Sequence, residues 1–121
     1  METDKLKIVT EWMLELGVPA HLNGYSYLRD AILLTCHDME VVSSVTKLLY
    51  PAVAKQNHIT SSKVERSIRN AIEVSWERGK TTLFDDVFGY SRLTGSLRPT
   101  NSEYIGKVAD AIRVEYENIM W

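Results

Sequence analysis

The sequence predicts an all-α fold in one compact domain, and two observations lead to this prediction. Apolar residues recur at three- and four-residue spacing along most of the 121 residues, whereas the polar–apolar alternation of half-buried strands is scarce. The composition, 45% hydrophobic and 25% charged, is that of a folded globular chain with a core of modest size. Because the sequence contains no repeat or linker-like tract, we expect about six helices in a single domain.

The first two predicted helices are bounded by turn and stop signals. Residues 5–16 place an apolar stripe on one face, and Gly17 ends this amphipathic opening helix. We expect Asn23-Gly24 to form a turn, because this dipeptide favours the backbone conformations that turns require. A second helix then follows over about residues 25–37.

The middle of the chain predicts two further helices and a polar turn. Asp38 is expected to cap a third helix that runs to Tyr50. Pro51 lacks an N–H but presets a helical φ, so it fits the first turn of a new short helix. Residues 56–60 are polar apart from Ile59, so we expect a turn there.

A long helix is predicted over residues 63–79. Ser62 and Glu65 have the spacing of a capping box, in which each side chain satisfies a free backbone N–H at the helix start. The remaining predicted elements are a short helix over 82–88, a loop over 90–99 and a last helix capped by Asn101 or Ser102.

Composition excludes several classes of protein. The single cysteine, Cys36, excludes an internal disulfide framework, and no leader pattern opens the chain, so we expect a cytoplasmic setting. The apolar runs are far shorter than the ~20 residues that cross a bilayer, so no membrane association is predicted. With a net charge of −2, any binding of a polyanion must come from a local basic patch.

Catalytic, metal and cofactor sites are not predicted. The three histidines are scattered, and Cys36 and His37 cannot chelate one ion as neighbours on a helix. The apolar neighbours of Cys36 indicate a buried residue rather than a nucleophile. The adjacent carboxylates of Asp85 and Asp86 diverge by about 100° on a helix, which does not suit a catalytic pair. We therefore expect a protein that is not an enzyme.

The helix over residues 63–79 has a cationic start and an apolar back. Lys63, Arg66 and Arg69 lie in its first turns, away from the apolar side, where the helix macrodipole adds partial positive charge. One interpretation is a solvated face with ion pairs along the helix, such as Glu65 with Arg69. The other is a surface that binds an anion.

Residues 51–79 also fit a helix-turn-helix, whose second helix places its N-terminal residues in a DNA major groove. Arginine can pair with O6 and N7 of guanine, and Glu65 can accept from the amino group of cytosine. Many helical proteins match this spacing, so on spacing alone the solvated face and the DNA reader both stay open.

Five segments resemble one known family, in the same order and with nearly the same spacing. The family is the C-terminal DNA-binding effector domain of the stage-zero sporulation response regulator A, the master transcription factors of endospore formation in Bacillota. The resemblance covers about residues 8–115. The segments are GVPAHLNGYSYLRDAI (17–32), TKLLYPAVAK (46–55), VERSIRNAIEVSWERG (64–79), FGY (88–90) and RPTNSEYIGKVAD (98–110).

The resemblance implies an all-helical domain that recognises a TGTCGAA-like box in double-stranded DNA, often as a tandem head-to-tail dimer. It also implies contact with the main sigma factor of RNA polymerase. Residues 1–16 would be an N-terminal helix or linker, and residues 17–121 the effector domain, with the helix-turn-helix over about 51–79. Residues 1–7 are too few for the receiver domain that family members normally carry. We therefore expect an isolated effector domain or a naturally short relative, and the start Met1-Glu2-Thr3 favours the second.

The site residues that the resemblance implies fall into three groups. The base-reading residues are Lys63, Glu65, Arg66 and Arg69. The phosphate-binding residues are Ser61, Ser62, Asn70, Arg98, Thr100, Asn101 and Ser102. The residues that contact the sigma factor are Arg78, Lys80, Asp85 and Asp86. Outside these groups, the family resemblance implies that Ile59 supplies a core contact within the turn over residues 56–60.

Two positions depart from the family, which usually has arginine where this chain has Lys63 and histidine where it has Asn70. Lysine lacks the planar fork of arginine, so we expect a slightly different box. The alternative for the 98–102 segment is that Asn101 or Ser102 only caps a helix and that the side chain of Arg98 is solvated. The alternative function is a DNA-independent helical module that modulates the sigma factor or a full-length sporulation regulator.

Overall fold

The computed structural model describes residues 2–121, and this part of the chain contains helices and no strands. The all-α prediction, with about six helices, is therefore confirmed. The α-helices are α1 (Glu2–Glu15), α2 (Asn23–His37), α3 (Tyr50–Asn57), α4 (Ser61–Arg78), α5 (Thr81–Phe88) and α6 (Asn101–Glu115). Among these residues no helix is both long and apolar enough to cross a membrane.

The sequence predicts an α-helix from Asp38 to Tyr50, and the type of helix in this prediction is wrong. A 3₁₀ helix over Met39–Ser44 and a π-helical turn over Val45–Leu49 replace a regular α-helix there. Asp38 does cap this segment, because its side chain accepts from the backbone N–H of Glu40 at 3.0 Å. The segment is rich in valine and serine, which are weak helix formers, and no residue of the 3₁₀ helix is buried. Little packing is therefore available to impose α-helical geometry.

The predicted cap of α4 is also wrong. Thr60, in an extended conformation, accepts from the backbone N–H of Lys63 at 3.1 Å, so the helix begins at Ser61. The predicted box of Ser62 and Glu65 does not form, because both residues already lie inside the first two turns. Threonine and serine are both good caps, so the backbone, which turns extended at residue 60, decides between them.

The cap of α6 lies one residue before those predicted. Thr100 accepts from the N–H of Glu103 at 3.2 Å, and the Glu103 carboxylate accepts from the N–H of Thr100 at 3.3 Å. This reciprocal capping box leaves Asn101 and Ser102 in the first turn of the helix. The prediction that one of them caps α6 is therefore wrong.

Helix α2 packs against α1, α3, α4 and α6, and helix α4 packs against α2, α3 and α6. The start of α2 approaches α4 closely, because a Cβ added to Gly24 would lie 2.0 Å from the backbone oxygen of Ser67. The predicted turn at Asn23-Gly24 is wrong, because both residues belong to α2. Gly24 instead allows the backbones of α2 and α4 to approach closely, because it has no side chain.

Cys36 confirms the expectation of a buried, unreactive residue. It is fully buried in α2, and its Sγ lies 3.8 Å from the backbone oxygen of Ala109 in α6. Desolvation by burial raises the pKa of its thiol from 9.0 to about 12. A thiol that stays protonated in this way is a poor nucleophile.

Candidate nucleic-acid interface

Helices α3 and α4 are joined by a three-residue turn. His58 ends α3 in the left-handed conformation at φ 56°, and the N–H of Ile59 donates to the backbone oxygen of Ala54 at 3.1 Å. Ile59 packs against the core, as expected, and Thr60 then caps α4. A helix, a tight turn and a longer capped helix follow one another as in a helix-turn-helix.

The side of α4 that faces the core is apolar. Its buried residues are Val64, Ile68, Ala71, Ile72, Ser75 and Trp76. The opposite side presents Lys63, Arg66, Arg69 and Asn70, all of them exposed. Because burial of the apolar side fixes the rotation of the helix, the polar side chains are held toward solvent.

The cations at the start of α4 differ in their partners. Arg69 pairs with Glu65 at 3.0 Å, one helical turn away, as the first interpretation of the sequence expects. The side chains of Lys63 and Arg66 make no hydrogen bond or ion pair with any residue that the structure describes. They lie beside the positive end of the helix macrodipole, where two uncompensated cations favour an anionic ligand.

A depression lies on each side of the N-terminal half of α4, and Arg66 lines both. The first is lined by His21, Leu22, Asn23, Gly24, Lys63, Arg66, Ser67 and Asn70. The second is lined by Thr46, Tyr50, Ser61, Ser62, Glu65, Arg66 and Arg69. The cationic start of α4 is therefore a ridge between two grooves, a shape that a DNA groove can receive.

The contribution of α2 to the first depression is not predicted by the sequence pattern. Asn23-Gly24 reads as a turn, and nothing in the sequence places His21 beside Lys63. The only available signal is Gly24 itself, because a glycine inside a helix often marks a close approach of two backbones.

The segment that precedes α6 lies against α4. Arg98 pairs with Glu73 of α4 at 3.1 Å, and both side chains are substantially exposed. Asn101 donates to the hydroxyl of Tyr50 and to the backbone oxygen of Glu65. The structure thus brings the predicted phosphate-binding segment beside the predicted base-reading helix. Thr100 and Asn101, however, already use their side chains within the protein.

The four residues predicted to contact the sigma factor are all exposed and lie around the far end of α4 and on α5. They are Arg78, Lys80, Asp85 and Asp86. Lys80 also pairs with Glu15 of α1 at 2.6 Å. Arg78 lies about 22 Å from Lys63 along the helix axis, at 1.5 Å per residue. This surface is therefore separate from the cationic ridge.

Within residues 2–121 no group of three or more histidine, cysteine or acidic side chains could hold a metal ion. The described part of the site consists of cations, hydroxyls and amides on a helix and its neighbours. Such groups can bind phosphate and base edges, which they contact through hydrogen bonds and charge.

A helix-turn-helix with a cationic second helix is a feature of the class of DNA-binding domains. A comparison with protein families gives a more specific assignment. The family model described as sporulation initiation factor Spo0A, C terminal, matches residues 9–112. The chain belongs to this family, which consists of DNA-binding domains of sporulation regulators and is not a family of enzymes.

Proposed function

We propose that this protein is a sequence-specific, double-stranded DNA-binding regulator of transcription for sporulation-type genes, with α4 inserted in the major groove. One observation carries the proposal. Lys63 and Arg66 project from the first turns of the second helix of a helix-turn-helix, and neither side chain has a partner among the described residues. In this motif the same part of the helix contacts base edges.

The four base-reading residues have different roles in this proposal. Arg66 donates both N–H groups of its fork to O6 and N7 of a guanine, and Lys63 contacts a guanine or a phosphate. Glu65 and Arg69 act as a pair, because their 3.0 Å contact restricts the rotamers of both side chains before DNA arrives. A cytosine amino group can then donate to the Glu65 carboxylate while Arg69 remains bound to it.

Phosphate contacts flank the base-reading residues. Ser61 and Ser62 lie in the first turn of α4, where free backbone N–H groups also point outward. Arg98 is available to a phosphate because its pair with Glu73 is exposed, and such pairs contribute only about 0–1 kcal/mol. The remaining side-chain phosphate contacts in this proposal come from Asn70 and Ser102. Thr100 lies at the same helix start, but its hydroxyl and its backbone N–H both donate to Glu103, so it would reach a phosphate only after release from that carboxylate.

We further propose a tandem head-to-tail dimer on two adjacent boxes, in the cytoplasm, where the chromosome of such a cell lies. Arg78, Lys80, Asp85 and Asp86 would contact the sigma factor from the surface away from DNA. Their exposure, and their separation from the cationic ridge, support simultaneous contact with DNA and polymerase.

A fluorescence anisotropy titration tests the DNA-reading function. One duplex carries two TGTCGAA-like boxes and the other carries the same bases in scrambled order, and both are titrated at several salt concentrations. We expect tighter binding to the boxes, and affinity for both duplexes that falls steeply as salt rises. Equal and salt-insensitive binding to the two duplexes would remove the basis of the proposal.

A second candidate function is the DNA-independent interaction module. It is favoured by a groove between α1, α5 and α6, where Trp12, Leu83 and Val114 provide apolar surface and Val114 is 66% exposed. Leu14 at the edge is 78% exposed. Apolar patches of this kind often mark protein contacts. Absence of DNA binding together with retained binding to purified sigma factor would favour this function.

A further inference from the structure

Asn101 lies where three helices meet. As the first residue of α6, it places its Nδ2 3.1 Å from the hydroxyl oxygen of Tyr50 in α3 and 3.3 Å from the backbone oxygen of Glu65 in α4. A backbone oxygen can only accept, so the side-chain atom that faces Glu65 must be the amide nitrogen. This contact fixes the orientation of the Asn101 amide.

The amide nitrogen has two N–H groups, and each has an acceptor within the protein. The remaining polar atom, Oδ1, accepts hydrogen bonds and cannot donate to a phosphate oxygen. Asn101 therefore has no free donor for DNA while both contacts persist, which conflicts with the phosphate-binding role that the family resemblance implies for it.

The two acceptors belong to the parts of the fold that present the base-reading side chains. Glu65 accepts from Asn101 of α6 through its backbone oxygen, and its carboxylate pairs with Arg69 of the same helix at 3.0 Å. The residue that α6 contacts is therefore part of the pair that reads bases in this proposal. Tyr50 begins α3, the first helix of the helix-turn-helix, and is only 6% exposed. Burial also raises the pKa of Tyr50, so its hydroxyl stays neutral.

We propose that Asn101 is a positioning residue for base reading, which ties the start of α6 to α3 and to the turn of α4 that carries Glu65 and Arg69. This inference rests on the proposed DNA-reading function. Selectivity for a sequence requires side chains held close to one geometry, because a bidentate contact with a base edge tolerates little displacement. Asn101 contributes to that geometry without contact with DNA.

Tyr50→Phe tests this role most directly, because it removes one hydroxyl oxygen and keeps the ring, which is only 6% exposed. We expect the affinity for the two-box duplex to fall about 3- to 10-fold, the effect of one hydrogen bond, with little change for the scrambled duplex. Asn101→Ala should show the same pattern. The double variant should lose no more than Asn101→Ala alone, because both changes remove one bridge.

Tyr116→Phe, at the end of α6, is the matched control and should keep both affinities. The inference is overturned if the single variants keep the wild-type preference for the boxes, if they lose affinity equally for both duplexes, or if the two losses multiply. Circular dichroism checks that the variants are folded. If Asn101→Ala does not fold, the affinities of Tyr50→Phe for the two duplexes test the inference. The proposed function fails if the wild-type protein does not prefer the two-box duplex to the scrambled one. The inference about Asn101 fails if the wild-type protein shows this preference and the variants keep it, so the two failures are distinguishable.

Discussion

The hydroxyl oxygens of Ser75 in α4 and Tyr104 in α6 lie 2.5 Å apart in the core. Ser75 also lies 2.6 Å from the backbone oxygen of Leu16, the residue that follows α1. That oxygen can only accept, so the Ser75 proton points to Leu16 and Tyr104 must donate to Ser75. Three helices are thereby tied together, near the end of α4 that lies away from the cationic ridge.

Ser75→Ala should destabilise the fold by about 1–3 kcal/mol, because it leaves a buried backbone oxygen and a buried phenol without partners. Urea denaturation measures this as a lower midpoint at an unchanged slope. Tyr104→Phe is the control and should cost less, since Ser75 keeps its bond to Leu16. Equal losses for the two variants would contradict the assigned proton positions.

Gly24→Ala should destabilise the protein by several kcal/mol or prevent folding. The added Cβ would lie 2.0 Å from the Ser67 backbone oxygen, and neither helix can move apart without opening the core. Gly106→Ala in α6 is the matched control, because its Cβ meets the nearest atom of Val42 at an ordinary 3.4 Å. That change should be neutral or stabilise by about 0.5–1 kcal/mol. Thermal unfolding of both variants checks the pair.

Arg66→Ala should weaken binding to the box duplex by about 1–3 kcal/mol and relax the preference at one base pair. The reason is the loss of the one arginine that lines both depressions and has no partner among the described residues. Anisotropy titrations against single-base variants of the box identify the position. Arg113→Ala, an exposed arginine on α6, should leave the affinity unchanged. Intact preference at every position in Arg66→Ala would show that another residue reads the base.

Arg98→Ala should weaken binding to all duplexes alike and flatten the dependence of log affinity on log salt by about one unit. The reason is that Arg98 is proposed to contact a phosphate, which every duplex has, and not a base edge. Glu73→Gln, which removes the carboxylate that pairs with Arg98, should tighten binding slightly to both duplexes. If the dependence of affinity on salt is unchanged in Arg98→Ala, Arg98 contacts no phosphate and its role is the ion pair with Glu73.

Most of the helices could be predicted because their signals are local. The apolar stripe of α4 and its cationic start follow from spacing alone, and the structure buries Val64, Ile68 and Trp76 as that spacing requires. The failures lie where a local signal is ambiguous. Thr60, Ser61 and Ser62 are all capable caps, and the backbone conformation at residue 60 selects one of them.

The candidate site was predictable only in part, for a related reason. Lys63, Glu65, Arg66 and Arg69 follow one another on a single helix, so helical geometry alone groups them. Residues that come from other elements carry no such signal. The depression that His21 and Lys63 both line cannot be inferred from spacing, and neither can the contact of Asn101 with Tyr50, because both depend on how separate elements pack.

The sequence by itself determined the all-α class, the helix-turn-helix, the cationic first turns of α4 and the family, because these depend on residue type and short-range spacing. Only the tertiary structure decided which cations have partners on other elements, because the pair of Glu65 with Arg69 lies within one helix and follows from its spacing. Arg69 and Arg98 are held by carboxylates, whereas Lys63 and Arg66 meet no partner among residues 2–121. The physical reason is that the pair of Arg98 with Glu73 and the amide bridge of Asn101 require atoms of separate elements within about 3 Å, a condition that only the packing of those elements can satisfy.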